Sequence, residues 1–120
     1  MMELLGALEP KQFNIDEMIY NELDDFSEVL FFQKGKAKVG FYVNHKKYFV
    51  LMKQNGFTVG DYGCTFNRKA AFIYQAHTMC DTFFIRKRQW HALMDEDNEI
   101  NIQLKQRIIT QYFYSIKFKV

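Results

Sequence analysis

Two adjacent cations follow a Gly-Asp turn in the stretch VGDYGCTFNRKAAFIYQA, residues 59–76. Gly60 and Asp61 open the turn, a short polar link follows, and Arg68 and Lys69 stand before two alanines and a strand-like run. Main-chain N–H groups at the start of a helix, together with a nearby cation, commonly hold a phosphate group. Only seven residues separate Asp61 from Lys69, and none of them is acidic. The stretch therefore indicates either a phosphate pocket without a carboxylate or the remnant of one.

Arg68 and Lys69 compete for the position of the phosphate-binding cation. The arginine offers two parallel N–H donors, whereas the lysine acts as a point charge. In the alternative interpretation both residues belong to a solvated turn. Gly60 then supplies the positive φ of a tight turn, and Asp61 bonds to its own backbone.

Other residues with reactive side chains are few, namely His45, His77 and His91 with Cys64 and Cys80. The histidines have no metal-ligand spacing, so no metal site is predicted. The two cysteines fit neither a metal pair nor a disulfide framework, and we interpret them as reduced core thiols of a cytosolic protein. A nucleophile at Cys80 beside His77 and Asp81 is disfavoured, because neighbours along a strand point to opposite faces. We expect no enzyme activity and no required cofactor.

The net charge of +2 conceals an uneven distribution of charged residues. Residues 1–28 hold eight acids and one base, whereas residues 29–93 hold eleven bases and only two acids, Asp61 and Asp81. A basic middle region could attract phosphate, acidic lipid or nucleic acid. The simpler interpretation is that the bases alternate outward on strands and solvate the fold.

Short strands must position these residues, because aromatic and β-branched runs alternate with turns along most of the chain. The runs are EVLFFQKGKAKVGFYV with a central Gly turn, then KKYFVLMK, KAAFIYQA and CDTFFIRK. Six or more short strands at this spacing predict a mainly β fold, an antiparallel jelly-roll β-barrel with flanking helices.

The ends of the chain have helical patterns. Apolar residues recur at helical spacing in two groups, Trp90, Leu93 and Met94, and then Ile100, Leu104 and Ile108. We predict a single domain over 1–120, with a short helix at 2–8, the barrel at about 9–86, a hinge helix at about 87–95 and a long helix at about 98–118. The long helix has a second apolar stripe, which predicts that it contacts another surface.

The order of these elements resembles the cyclic-nucleotide-binding domain superfamily over nearly the whole chain. LEPKQFNIDEMIYNELDDFSEVLFFQKGKAKVG is similar to the opening of that family, and QAHTMCDTFFIRKRQWHALM to the segment that enters its hinge helix. Gly60-Asp61 matches the start of its phosphate-binding cassette. The phrases GFYVN, FTVGDYGCTFNRKAAFIY and FFIRKRQW further resemble ciliate-type voltage-gated potassium channels of the ether-à-go-go and cyclic-nucleotide-regulated type. Their cytoplasmic C-termini carry such domains.

The resemblance implies a ligand, cyclic AMP or cyclic GMP, and a set of binding residues: Gly60, Asp61, Tyr62, Arg68, Lys69, Ala70 and Ala71, with Tyr112 and Phe113 capping the base. Working pockets of the family have a Phe-Gly-Glu helix whose Glu accepts the ribose 2′-hydroxyl. This chain has no Glu in its link, and the cassette is shortened. Two such losses, of about 1–3 kcal/mol each, would weaken a micromolar site toward millimolar affinity.

The resulting expectation is a regulatory domain in the cytoplasmic, intracellular part of an ion channel, with a weak or absent nucleotide site. It would act through its C-terminal helices on other domains of the parent protein, with no nucleic-acid partner and no transmembrane segment in the sequence itself. One alternative is a ligand-free interaction or homo-oligomerisation module that uses the last helix. Another is a basic β-module that binds acidic lipid or RNA through Phe41, Tyr42, Tyr48 and Phe49.

Overall fold

Eight antiparallel strands and two short helices make up residues 8–95, the part of the chain that the computed structural model describes. The strands are β1 (Glu9–Phe13), β2 (Met18–Tyr20), β3 (Glu28–Lys34), β4 (Ala37–Val43), β5 (Lys46–Lys53), β6 (Phe57–Val59), β7 (Ile73–Ala76) and β8 (Cys80–Arg86). The helices are α1 (Asp61–Phe66) between β6 and β7, and α2 (Lys87–Met94) directly after β8.

The strands form two four-stranded sheets, in the orders β1-β8-β3-β6 and β2-β7-β4-β5. Most strands that follow each other in the chain, such as β3 and β4, lie in different sheets, so most connections cross from one layer to the other, whereas β4 and β5 form a hairpin within one sheet. The crossing between β3 and β4 uses Gly35 at φ +103°, where an added Cβ would lie 2.7 Å from the sulfur of Cys80. The predicted antiparallel jelly-roll fold is confirmed.

The core lies between the two sheets and under both helices. On β8, Cys80 and Thr82 are buried whereas Asp81 and Phe83 are exposed, which is the two-residue period of a half-buried strand. Aromatic rings fill much of the interior: the rings of Phe32 and Phe57 stack at 4.4 Å between centroids. The buried cluster comprises Phe13, Tyr20, Phe26, Val29, Leu30, Phe32, Val59, Cys64, Ala70, Ala76, Cys80, Ile85, Trp90 and Met94.

The helix α2 stands where the hinge helix is predicted, and its Trp90 is 4% exposed. Trp90 is therefore a core residue that anchors α2 on the barrel. The helices predicted at 2–8 and 98–118 lie outside the described residues, apart from residue 8 itself, and the extent of the single domain over 1–120 stays a prediction.

Candidate functional site

The helix α1 occupies the first half of the candidate phosphate stretch, and a glycine determines how the chain enters it. Gly60 has φ +90°, a left-handed conformation that side chains disfavour. A Cβ at this position would also lie 2.6 Å from the carbonyl oxygen of Glu28 and 3.2 Å from the ring of Phe26. The predicted tight turn at Gly60 is confirmed, and the close approach of the backbone to β3 gives it a structural reason.

The ring of Phe26 lies against α1 and packs directly on the backbone of Gly63. The neighbouring Cys64 is fully buried, and its thiol donates to the carbonyl oxygen of Phe26 at 3.6 Å. Burial raises the pKa of the Cys64 thiol to about 12, so the sulfur stays protonated and weakly nucleophilic at neutral pH. The interpretation of Cys64 as a core thiol is confirmed by its burial.

The helix ends after six residues because Asn67 adopts a left-handed conformation, with φ 54°. The N–H of Arg68 donates to the carbonyl oxygen of Gly63 at 3.0 Å, which satisfies one of the last helical carbonyls. A six-residue helix is about 9 Å long. The residues at its start, Gly60 to Tyr62, and the two cations, Arg68 and Lys69, therefore flank opposite ends of α1.

Lys69 is engaged by the segment before β3. Its ammonium lies 3.8 Å from a carboxylate oxygen of Asp25, and both side chains are largely exposed. The backbone on either side is also tied down, since the N–H of Ala70 donates to the carbonyl oxygen of Asp24 at 2.8 Å. Arg68 is exposed in this region. Ala70 is buried and Ala71 is half-buried. Their small side chains fit beside the packed backbone.

Lys53 and Asp61 influence each other electrostatically at the start of α1, an interaction that no sequence pattern indicated. Lys53, the last residue of β5, is half-buried, and burial lowers its pKa while the charge of Asp61 opposes that shift. Burial likewise raises the pKa of the Asp61 carboxyl, against a hydrogen bond from the Tyr62 N–H and the charge of Lys53. The two groups are eight positions apart along an irregular segment, and no local pattern connects them.

The contact between α1 and α2 is also missed in the sequence. The indole N–H of Trp90 donates to the hydroxyl of Thr65 at 2.8 Å, and that hydroxyl donates to the carbonyl oxygen of Asp61 at 2.7 Å. A chain of two hydrogen bonds therefore joins α2 to the first residue of α1. A Thr within a polar link and a Trp on a separate helix give no signal of this pairing before folding.

The architecture of the chain is similar to that of several solved structures. No protein-family model matches the chain, and no curated protein is significantly similar to it. Among solved structures, a transcriptional regulator from Thermotoga maritima matches with a TM-score of 0.76 and 18% identity over 97% of this chain and 91% of that one. The regulatory domain of Toxoplasma gondii PKA with cAMP matches with a TM-score of 0.67 and 17% identity over 72% and 33%.

An EAL enzyme in its cAMP-bound form matches with a TM-score of 0.73 and 15% identity over 89% of this chain and 29% of that chain. The chain has the fold of cyclic-nucleotide-binding domains. It spans about a third or less of the first solved structures that it matches.

On the cyclic-nucleotide-binding fold, the stretch that resembles the phosphate-binding cassette is α1 and the turn after it. The structure brings Gly60, Asp61 and Tyr62 together at the start of α1 and leaves Arg68 and Lys69 beyond its end. The two residues predicted to cap a base, Tyr112 and Phe113, lie outside the described residues.

Within residues 8–95, no three His, Cys, Asp or Glu side chains are grouped closely enough to hold a metal ion. Neither of the helices in the same residues has the length and apolar character that crossing a bilayer requires.

Proposed function

We propose that the chain is a regulatory domain of the cyclic-nucleotide-binding type, in the cytoplasmic part of an ion channel, with a weak or absent nucleotide site. Its fold supports the regulatory class, since the solved structures similar to it include cAMP-bound regulatory domains. The channel context rests on the resemblance of GFYVN, FTVGDYGCTFNRKAAFIY and FFIRKRQW to ciliate-type potassium channels.

The observation that carries the proposal is the hydrogen-bond chain from Trp90 through Thr65 to the carbonyl of Asp61. It links the helix of the candidate cassette to the helix that leaves the barrel. A ligand at α1 shifts the position of α2 only by its differential affinity for two arrangements of this contact. Without a ligand, the same contact holds α2 in one place.

Three features support a weak site. The segment 62–67 contains no carboxylate that could accept a ribose hydroxyl. Lys69 already lies beside Asp25, so a phosphate would have to compete for that ammonium. The helix has only six residues, so few peptide dipoles add up along its axis to attract an anion.

Calorimetric titration with cyclic AMP and cyclic GMP tests the proposal. We expect either no saturable heat or binding near millimolar concentration, about −4 kcal/mol. Any heat should disappear in the Arg68→Ala, Lys69→Ala double variant and persist in Lys46→Ala, Lys47→Ala, which loses the same charge on a distant hairpin. Micromolar or tighter binding would contradict the proposed weak site, and heat that survives Arg68→Ala, Lys69→Ala would contradict the assigned residues.

The ligand-free alternative depends on the helix predicted at 98–118, which lies outside the described residues. It predicts self-association that Ile109→Asp abolishes, measured by sedimentation velocity over a range of protein concentrations. A monomer at all concentrations would exclude the homo-oligomer.

A further inference from the structure

The hairpin of β4 and β5 extends beyond the sheet to which it belongs. β4 pairs with β7 only at residues 37–40, whereas its pairing with β5 continues to Val43 and Lys46. The outer part of the hairpin, residues 41–48, is thus a two-stranded ribbon with no third strand beside it among residues 8–95, and Phe49 lies opposite Gly40, where the pairing with β7 ends. Every residue from Tyr42 to Val50 is exposed. We call residues 41–50 the hairpin tip.

The turn of the hairpin tip is tight. Val43 pairs with Lys46, so only Asn44 and His45 form the loop, and both have positive φ, 50° and 66°. Positive φ at both central residues is the type I′ geometry that matches the twist of a two-stranded ribbon. The tip is therefore a defined projection rather than an irregular loop.

Large apolar side chains are exposed on the hairpin tip and on the adjoining end of β5. Tyr48 is 48% exposed, and Val43 and Val50 are each 43% exposed. Six of the ten large hydrophobic residues that are exposed in the described chain belong to this hairpin: Tyr42, Val43, Tyr48, Phe49, Val50 and Met52. A concentration of exposed apolar groups on one projection marks an interaction surface.

The charged side chains of the hairpin itself are all positive, and one of its lysines, Lys38, is paired with an acid, since its ammonium lies 3.5 Å from a carboxylate oxygen of Asp16. The chain has no acidic residue from position 29 to position 60, and the basic residues in that range are lysines without any arginine: Lys34, Lys36, Lys38, Lys46, Lys47 and Lys53. Within residues 8–95, the ammonium groups of Lys46 and Lys47 make no ion pair. Lys38 extends over the ring of Phe49, 4.8 Å from its centroid. The partner of this surface must therefore be anionic as well as apolar.

We propose that the hairpin tip docks on the surface of a lipid bilayer that contains anionic phospholipid. Val43, Tyr48 and Val50 would enter the boundary between headgroups and acyl chains, and Lys46 and Lys47 would lie against the headgroup phosphates. Lysines act as point charges suited to a diffuse anionic surface, whereas arginine forks suit the fixed geometry of single phosphates. The rings of Tyr42 and Tyr48 suit either a nucleobase or the headgroup level of a bilayer and do not distinguish the two partners. Val43 and Val50 have no ring face on which a nucleobase could stack, which favours lipid over single-stranded RNA.

Vesicle co-sedimentation of the 120-residue chain tests the proposal. We expect binding to phosphatidylcholine vesicles that contain about a third phosphatidylserine, little binding to pure phosphatidylcholine, and loss of binding between about 0.1 M and 0.5 M salt. A folded protein that leaves the anionic vesicles unbound at low salt would overturn the proposal.

Matched charge reversals locate the surface. Lys46→Glu, Lys47→Glu should weaken vesicle binding by at least about twentyfold, since each lysine near a membrane surface contributes about fivefold. Arg86→Glu, Arg88→Glu changes the net charge by the same amount on exposed residues of another part of the molecule. This control should keep most of the binding. Equal loss in both variants would show attraction to the whole charge of the protein and would overturn the assignment to the hairpin.

Insertion of the apolar residues has a separate readout. The only native tryptophan is the buried Trp90, so the spectrum of Val43→Trp minus that of the unaltered chain reports the tip. Its emission should shift to shorter wavelength with anionic vesicles and stay unchanged with phosphatidylcholine vesicles. No shift under conditions where the protein co-sediments would overturn the insertion. Binding to poly(U) through Lys46 and Lys47, without vesicle binding, would identify RNA instead.

Discussion

Single buried hydrogen bonds join distant parts of the chain in this small domain. The indole of Trp90 and the hydroxyl of Thr65 are 25 residues apart. The hydroxyl of Tyr20 donates to the carbonyl oxygen of Glu28 at 2.9 Å and accepts from the N–H of the same residue at 3.1 Å. Because a buried polar group without a partner costs more than its hydrogen bond contributes, these residues should be sensitive to substitution.

Thr65→Val keeps the β-branched shape of the side chain and removes the hydroxyl that accepts the Trp90 N–H. We expect the free energy of unfolding to fall by about 1–3 kcal/mol, because the indole N–H is left buried without its partner. Urea unfolding measures the change. The emission of Trp90 should also shift, since the environment of its nitrogen is altered.

Thr58→Val is the matched control for Thr65→Val. Thr58 is a half-buried threonine on β6, where valine has a favourable strand propensity. We expect little change in stability and no change in the Trp90 emission. If both variants behave alike, the contact between α1 and α2 does not contribute to stability in the way the geometry indicates.

Alkaline pH should destabilise the domain through Tyr20. Burial raises the pKa of this phenol from 10.0 to about 12. The folded state therefore retains the proton more tightly, so stability is complete below about pH 10 and declines as the pH rises toward 12. A shift of this size corresponds to about 3 kcal/mol. Burial raises the pKa of Cys64 to about 12 as well, from 9.0, and adds to the decline from about pH 9.

Tyr20→Phe separates the two contributions. The variant should be less stable at about pH 8, because both hydrogen bonds to Glu28 are lost, yet its stability should decline less toward about pH 11. Urea unfolding at the two pH values gives the difference. Tyr48→Phe, the same change on an exposed ring, should leave the pH dependence as it is. A slope that is equally steep in Tyr20→Phe would exclude the phenol as the titrating group.

At the scale of elements, the strands differ in how many neighbours support them. β8 lies between β1 and β3, and β3 lies between β8 and β6. β5 lies at the edge of the other sheet and pairs only with β4. The helix α1 packs on the ring of Phe26 through the backbone of Gly63. Protection from local opening should follow this order, because central strands open only with the core.

Amide hydrogen exchange measures that order. We expect the slowest exchange in β3 and β8, and exchange at least about tenfold faster at residues 41–43 and 46–49 of the hairpin tip, where both faces of the ribbon are exposed. Anionic vesicles should slow exchange in the tip and leave β8 unchanged. Equal protection of the tip and β8 in the free protein would mean that another part of the chain or a second copy covers the ribbon.

At the scale of the whole molecule, acidic and basic residues occupy different parts of the fold. The described acids are concentrated in β1, β2 and the segments around them, between Glu9 and Glu28, whereas the hairpin of β4 and β5 is lysine-rich. Lys53, at the base of this hairpin, and Asp61, at the start of α1, influence each other's pKa. Substitutions at Arg68 and Lys69 test the candidate nucleotide site and substitutions at Lys46 and Lys47 test the proposed lipid surface, so each is disabled without altering the other.

Much of the architecture was predictable because it depends on local patterns. Residues 46–53 include a run of aromatic and aliphatic residues between lysines and form β5, as predicted. Gly35 separates two strands at the predicted position. The sequence predicted a short polar link after Asp61, whereas Asp61 begins a six-residue helix. Gly60 and Asn67 both adopt a positive φ, and these two residues set the start and the end of the helix.

The sequence by itself determined the class of fold, the positions of β3, β4, β5 and β8, and the absence of a carboxylate in the link, since these depend on composition and on spacing along the chain. The tertiary structure decided which side chains meet. Lys69 beside Asp25 and Trp90 bonded to Thr65 each join residues that no periodic pattern relates. Such pairs form only when the sheets cross and pack, because packing rather than local propensity sets the distance between elements remote in sequence.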